Sequence, residues 1–143
     1  MIILFGGYHV PFKRYVCYLK CHQWIFNPED NVITNEDIYI IGHSIGFYKA
    51  FIWCHKYNIK QKIIISLDHD DIYNVKEKIH IDNDIRDIYQ QFQDLDKKNY
   101  DNCIVFRQLN KKTFLDNNLY KDVYFIQMIH IIHLKLVISK IKY

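Results

Sequence analysis

The chain has 143 residues, of which 50% are hydrophobic and 24% charged, with a formal net charge of +3. That balance excludes a disordered polymer, and the length suits a single domain, 1–143, able to bury a real core. The basic residues are scattered among the acids, so Lys97-Lys98 and Lys111-Lys112 read as solvated surface and a nucleic-acid partner is not expected.

The first apolar run is IILF at 2–5. The N-terminal MIILFGG is too short, and lacks the basic start, for a signal peptide, so a cytoplasmic location is expected. Pro11 suits a first helical position, with Phe12, Tyr15, Val16 and Leu19 falling on one face. Cys17, Cys21 and His22 lie near one another on that helix. No second ligand pair accompanies them, so packing is the better reading and no metal is expected. Four cysteines without a dense spacing pattern also suit a reducing compartment.

Further short apolar runs follow at 23–26 (QWIF), 38–41 (IYII), 62–66 (KIIIS), 103–106 (CIVF) and 123–126 (VYFI). Each is nearly continuous in apolar residues, as strands covered on both faces tend to be. Between them lie helical patterns. One, after Ser44, is apolar nearly all round through Ile45, Phe47, Tyr48, Phe51, Ile52 and Trp53, and should sit deep against the sheet. Another, capped by Asp84, has the stripe Ile85, Ile88, Tyr89, Phe92 and Leu95. The polar stretch 68–84 is the longest irregular segment. A last helix from near His133 turns Leu134, Val137, Ile138 and Ile141 inward. The apolar segment 123–138 is interrupted by Gln127, His130, His133 and Lys135, so it is not a membrane span. This alternation predicts an α/β fold, a three-layer α/β/α arrangement with a mostly parallel sheet of about six strands in spatial order 2-1-3-4-5-6.

The richest stretch is IYIIGHSIGFYKAFIWCHKY. A buried strand runs into Gly42-His43-Ser44-Ile45-Gly46 and then into a helix. A nucleophilic serine needs this arrangement. A strained turn projects its hydroxyl above the sheet, flanking glycines let strand and helix approach, and the helix N-terminus offers the Ile45 N–H to a developing oxyanion. A plain turn serine between strand and helix is the bland competitor.

In these residues the chain resembles the α/β-hydrolases, as a minimal member that begins at the strand carrying the oxyanion loop and lacks the family's first two strands. IILFGGYH resembles that strand and loop, with Phe5-Gly6 where the family often has His-Gly, and implies the Gly7 or Tyr8 N–H as second oxyanion donor. The family order is Ser, acid, His. His133, directly before the terminal helix, is placed first as base, and His130 is the alternative. Both compete with a packing role in an apolar segment. His43 inside the elbow is read as shaping the pocket. After the penultimate strand CIVFRQLNKK offers Asn110 and Lys111 where an Asp is expected, with Asp116 farther on. The family's other arrangement puts the acid after the preceding strand, where KIIISLDHDD supplies Asp68. Phe47 stands where the family often has a glycine, and with Tyr8 it would wall the acyl pocket and favour short acyl chains.

The resemblance implies a cofactor-free serine hydrolase that cleaves a carboxylic ester or thioester through an acyl-enzyme on Ser44. His133 is the base, Asp68 the acid, and a small-molecule acyl compound the partner. The reading from a different class is a catalytically degenerate hydrolase fold acting as a binding or interaction protein. The missing acid after the penultimate strand, the missing N-terminal strands and the many tyrosines favour that second reading.

Overall fold

The way the apolar runs pair decides where any site must lie. The structure is a computed structural model and describes residues 2–8, 10, 13–16, 23–24, 38–59, 62–67, 69, 83–95, 100, 102–108 and 122–126. Outside these lie the expected helix from His133, Pro11, Phe12, Leu19, the Cys17–Cys21–His22 group, both lysine pairs and most of the polar stretch 68–84.

The elements in chain order are β1 (Ile2–Phe5), α1 (Lys13–Val16), β2 (Gln23–Trp24), β3 (Ile38–His43), α2 (Gly46–Lys56), β4 (Lys62–Leu67), α3 (Asn83–Gln93), β5 (Cys103–Gln108) and β6 (Asp122–Ile126). The strands form a parallel sheet in the order β2-β1-β3-β4-β5-β6. Chain direction across the sheet therefore reverses between β1 and β3. In open parallel sheets a crevice forms outside the carboxyl ends of such a pair. Phe5 opposite Gly42 marks that end of the register.

Successive strand residues point to opposite faces. Ile3, Ile40, Ile64 and Cys103 are register partners in one row across the sheet, and all are buried against α2 in a single apolar cluster. The next row, Leu4, Ile41 and Ile65, faces the other way and is buried as well. Burial of both rows explains why these strands read as continuous apolar runs without alternation.

Helix α2 is buried at Gly46, Phe47, Tyr48, Ala50, Phe51, Ile52, Trp53 and Cys54, as its all-round apolar pattern implies. It touches β1, β3 and β4 on one side and α3 on the other. Asn58, at φ 50°, ends it, and the Ile59 N–H reaches back to the Cys54 carbonyl at 2.9 Å. Helix α3 is one-sided. Phe92 is buried, while Ile88, Tyr89 and Leu95 pack partly buried on the same cluster. The helix begins at Asn83, which puts Asp84 inside its first turn, two residues past the capping position expected of it, and there its charge suits the helix dipole. Asp84 also faces Lys49 on α2. Burial lowers the Lys49 pKa, and the Asp84 carboxylate partly opposes that shift.

Among the described residues no helix is long and apolar enough to cross a membrane.

The Phe92 ring sits 4.8 Å from the Tyr48 ring and 5.6 Å from the Phe51 ring, both edge-on. Phe92→Ala should therefore cost about 3–5 kcal/mol in urea denaturation. Exposed Gln91→Ala on the same helix should stay within about 0.5 kcal/mol.

Candidate active site

At the carboxyl end of β3 the backbone makes one sharp turn before α2. Ser44 takes φ 54°, a left-handed conformation that costs a residue with a Cβ roughly 1–2 kcal/mol. Its N–H donates to the Leu67 carbonyl at 2.8 Å, and its carbonyl accepts from the Phe47 N–H at 3.2 Å. Two anchors thus hold the strained residue. The Ser44 side chain is half-buried, and its hydroxyl bonds to no described residue.

The two flanking glycines answer to space. A Cβ on Gly42 would lie 2.5 Å from the Phe47 Cα and 2.6 Å from its nitrogen. A Cβ on Gly46 would overlap the Phe5 carbonyl outright and lie 2.9 Å from the Gly6 carbonyl oxygen. The Gly-X-Ser-X-Gly spacing is therefore a packing requirement. One glycine lets the helix lie on its own strand, and the other lets it touch the end of β1. Ile45 begins the helix with right-handed geometry, and among the described residues its N–H has no backbone acceptor.

The loop after β1 lies against the elbow through His43. A Cβ on Gly7 would sit 2.8 Å from His43 Nδ1. The Gly7 N–H donates to the Tyr15 hydroxyl at 2.8 Å, and that hydroxyl lies 2.9 Å from His43 Nδ1. Tyr15 is fully buried on α1. Burial pushes its phenol above the ordinary range, and the Gly7 hydrogen bond offsets part of that shift. Tyr8, the next loop residue, is 37% exposed.

Below the elbow, Ser66 on β4 is hydrogen-bonded to His69 Nδ1, both fully buried. The His69 ring stacks on Phe47 at 4.0 Å and 14°. This corrects the expected role of Phe47. The side chain is 0% exposed and points into the core, so it walls no acyl pocket. A family correspondence fixes the position of a residue and leaves the direction of its side chain open. Sequence reasoning also missed the His69 and Tyr15 contacts. For Tyr15 a signal existed, because a phenol on a buried helix face requires a polar partner.

The structure brings together Ser44, Ile45 and the loop Gly6-Gly7. Asp68, Asp116, His130 and His133 lie outside the described residues. Leu67, the residue before Asp68, is the one bonded to Ser44. Among the described residues no three His, Cys, Asp or Glu side chains cluster as a metal site. No family model, no curated protein and no solved structure matches the chain.

Because Ala at position 44 keeps the strain and Gly relieves it, Ser44→Gly should be more stable than Ser44→Ala by about 1 kcal/mol in urea denaturation. Gly46→Ala should lose about 2–3 kcal/mol through overpacking against β1. Phe47→Gly should lose at least about 3 kcal/mol as a core cavity.

Proposed function

We propose that the chain is a serine hydrolase of the α/β-hydrolase kind, with a three-layer α/β/α core, cleaving a carboxylic ester or thioester of a small molecule through an acyl-enzyme on Ser44. The observation that carries the reading is the left-handed φ of 54° at Ser44, between a buried parallel strand and a helix, flanked by two glycines that nothing larger can replace. Strain of this sort concentrates where function requires it. A serine that merely turned the chain would be relieved by glycine.

In this reading the Ser44 hydroxyl attacks the acyl carbonyl carbon while an imidazole takes its proton. The oxyanion meets the Ile45 N–H at the start of α2. The Gly7 N–H is directed to Tyr15, so the loop's contribution falls to Tyr8. Collapse of the tetrahedral intermediate expels the alcohol or thiol, which takes the proton from the imidazole. Water then attacks the acyl-enzyme with the same imidazole as base, releasing the acid and restoring Ser44.

Chain reach favours His133 as that base. β6 lies three strand spacings from β3, roughly 14 Å at about 4.8 Å each. Seven residues separate Ile126 from His133 and span up to about 24 Å. Four residues to His130 span at most about 14 Å, leaving no slack. For the acid, Asp68 follows directly on Leu67, whose carbonyl holds Ser44. Asp116 follows β5, one strand farther from the elbow.

A fluorophosphonate probe should label the wild-type chain and not Ser44→Ala. Hydrolysis of p-nitrophenyl acetate should fall at least about a thousandfold in Ser44→Ala, and nearly as far in His133→Ala, since members of a triad act as a unit. Asp68→Asn should lower the rate by less than either of these. Absence of labelling in wild type would favour the degenerate, binding-protein reading. Loss of activity in His130→Ala beside a mild effect of His133→Ala would move the base to His130.

A further inference from the structure

Three segments meet at one hydroxyl. Tyr15 comes from α1, Gly7 from the loop after β1, and His43 from the last position of β3, next to Ser44. We propose that Tyr15 is a positioning residue, a latch that holds the oxyanion loop against the nucleophile strand and fixes the His43 ring as the Nε2–H tautomer. Its kinetic consequence rests on the serine-hydrolase reading, and its geometry does not.

The tautomer follows from donor arithmetic. A phenol hydroxyl has one proton to give and lone pairs to accept with. The Gly7 N–H already donates to the Tyr15 oxygen at 2.8 Å. The phenol is buried and stays protonated, and among the described residues the other polar atom hydrogen-bonded to it is His43 Nδ1 at 2.9 Å, to which we assign its proton. Nδ1 then accepts, and the ring proton of neutral His43 resides on Nε2. The ring is also held edge-on to Tyr15, at 5.9 Å and 70°.

The steric contact points the same way. The Gly7 Cα packs so near His43 Nδ1 that a Cβ would stand 2.8 Å from it. Loop and imidazole are therefore in direct contact, and the Tyr15 hydroxyl bonds to both. The Gly7 carbonyl accepts from the Val10 N–H at 3.3 Å, so the peptide that carries the Tyr8 N–H sits in a turn directly after the bonded Gly7 amide. Loss of the hydroxyl unties that turn from His43, leaving the Val10 bond on its carbonyl, and removes no group that touches an acyl substrate. An oxyanion donor displaced by a fraction of an ångström loses part of the hundredfold or greater effect of a whole donor.

Tyr15→Phe separates these roles, because the ring packing is retained and only the hydroxyl is lost. Three measurements decide. Amide exchange by NMR should show Gly7 protected in wild type and at least about tenfold less protected in Tyr15→Phe. The ¹⁵N shifts of the His43 ring should report the Nε2–H tautomer in wild type and a tautomer mixture in the variant. Fluorophosphonate inactivation should slow about ten- to a hundredfold in its limiting rate, with the half-saturating probe concentration unchanged. Equal Gly7 protection in both proteins, or a wild-type His43 carrying its proton on Nδ1, overturns the latch, and the tautomer measurement needs no variant to fold. A limiting inactivation rate unchanged in Tyr15→Phe overturns the positioning role. A wild-type chain with the protected amide and the Nε2–H tautomer that takes no fluorophosphonate overturns the hydrolase reading, and the kinetic role with it.

Discussion

The arrangement at the carboxyl end of the sheet depends on how closely the first turn of α2 approaches the ends of β1 and β3. Gly46 touches the carbonyls of Phe5 and Gly6, and Gly42 lies under the backbone of Phe47. No side chain fits at either point. Because the helix starts so near the strand ends, the connecting turn is short, and its single free residue must take a left-handed backbone. That residue is Ser44. The same proximity points the α2 N-terminus, with its outward N–H groups and dipole, at the space above the sheet.

A strained turn persists only where its surroundings over-determine it. Here the support comes from both sides. Leu67 of β4 accepts from the Ser44 N–H, and Tyr15 ties His43 to Gly7. Beneath these contacts the aromatic cluster of Phe47, Tyr48, Phe51 and Phe92 holds α2 between sheet and α3. In the buried Ser66–His69 pair each residue finds a hydrogen-bond partner within the core. His69 stacks on Phe47 and accounts for its own burial by bonding Ser66.

The central strands were readable because they are buried on both faces. Continuous runs such as IYII and KIII leave little freedom in where they pair, and their parallel order followed from the alternation with helices. Helix α2 announced its depth by being apolar all round. Ser44 and its glycines were legible for a steric reason, since the pattern is the imprint of the close approach itself. What depends on side-chain direction was not legible. Phe47 occupies the expected position and turns into the core. The Tyr15–His43 contact joins residues 28 apart, and no local pattern encodes a pairing at that separation. His69 stands in a run of acids that reads as solvent-facing, yet it is fully buried.

The proposed acyl transfer requires Ser44 to be presented to an acyl group with an imidazole and two backbone donors around it. A crystal structure of the chain bearing a covalent phosphonate tests that most directly. Phosphorus should be bonded to Ser44 Oγ, with a phosphonyl oxygen within hydrogen-bond distance of the N–H groups of Ile45 and Tyr8. The His133 imidazole should lie within about 3 Å of the Ser44 oxygen. A phosphonate on another residue, or an adduct on Ser44 with no imidazole in reach, would contradict it.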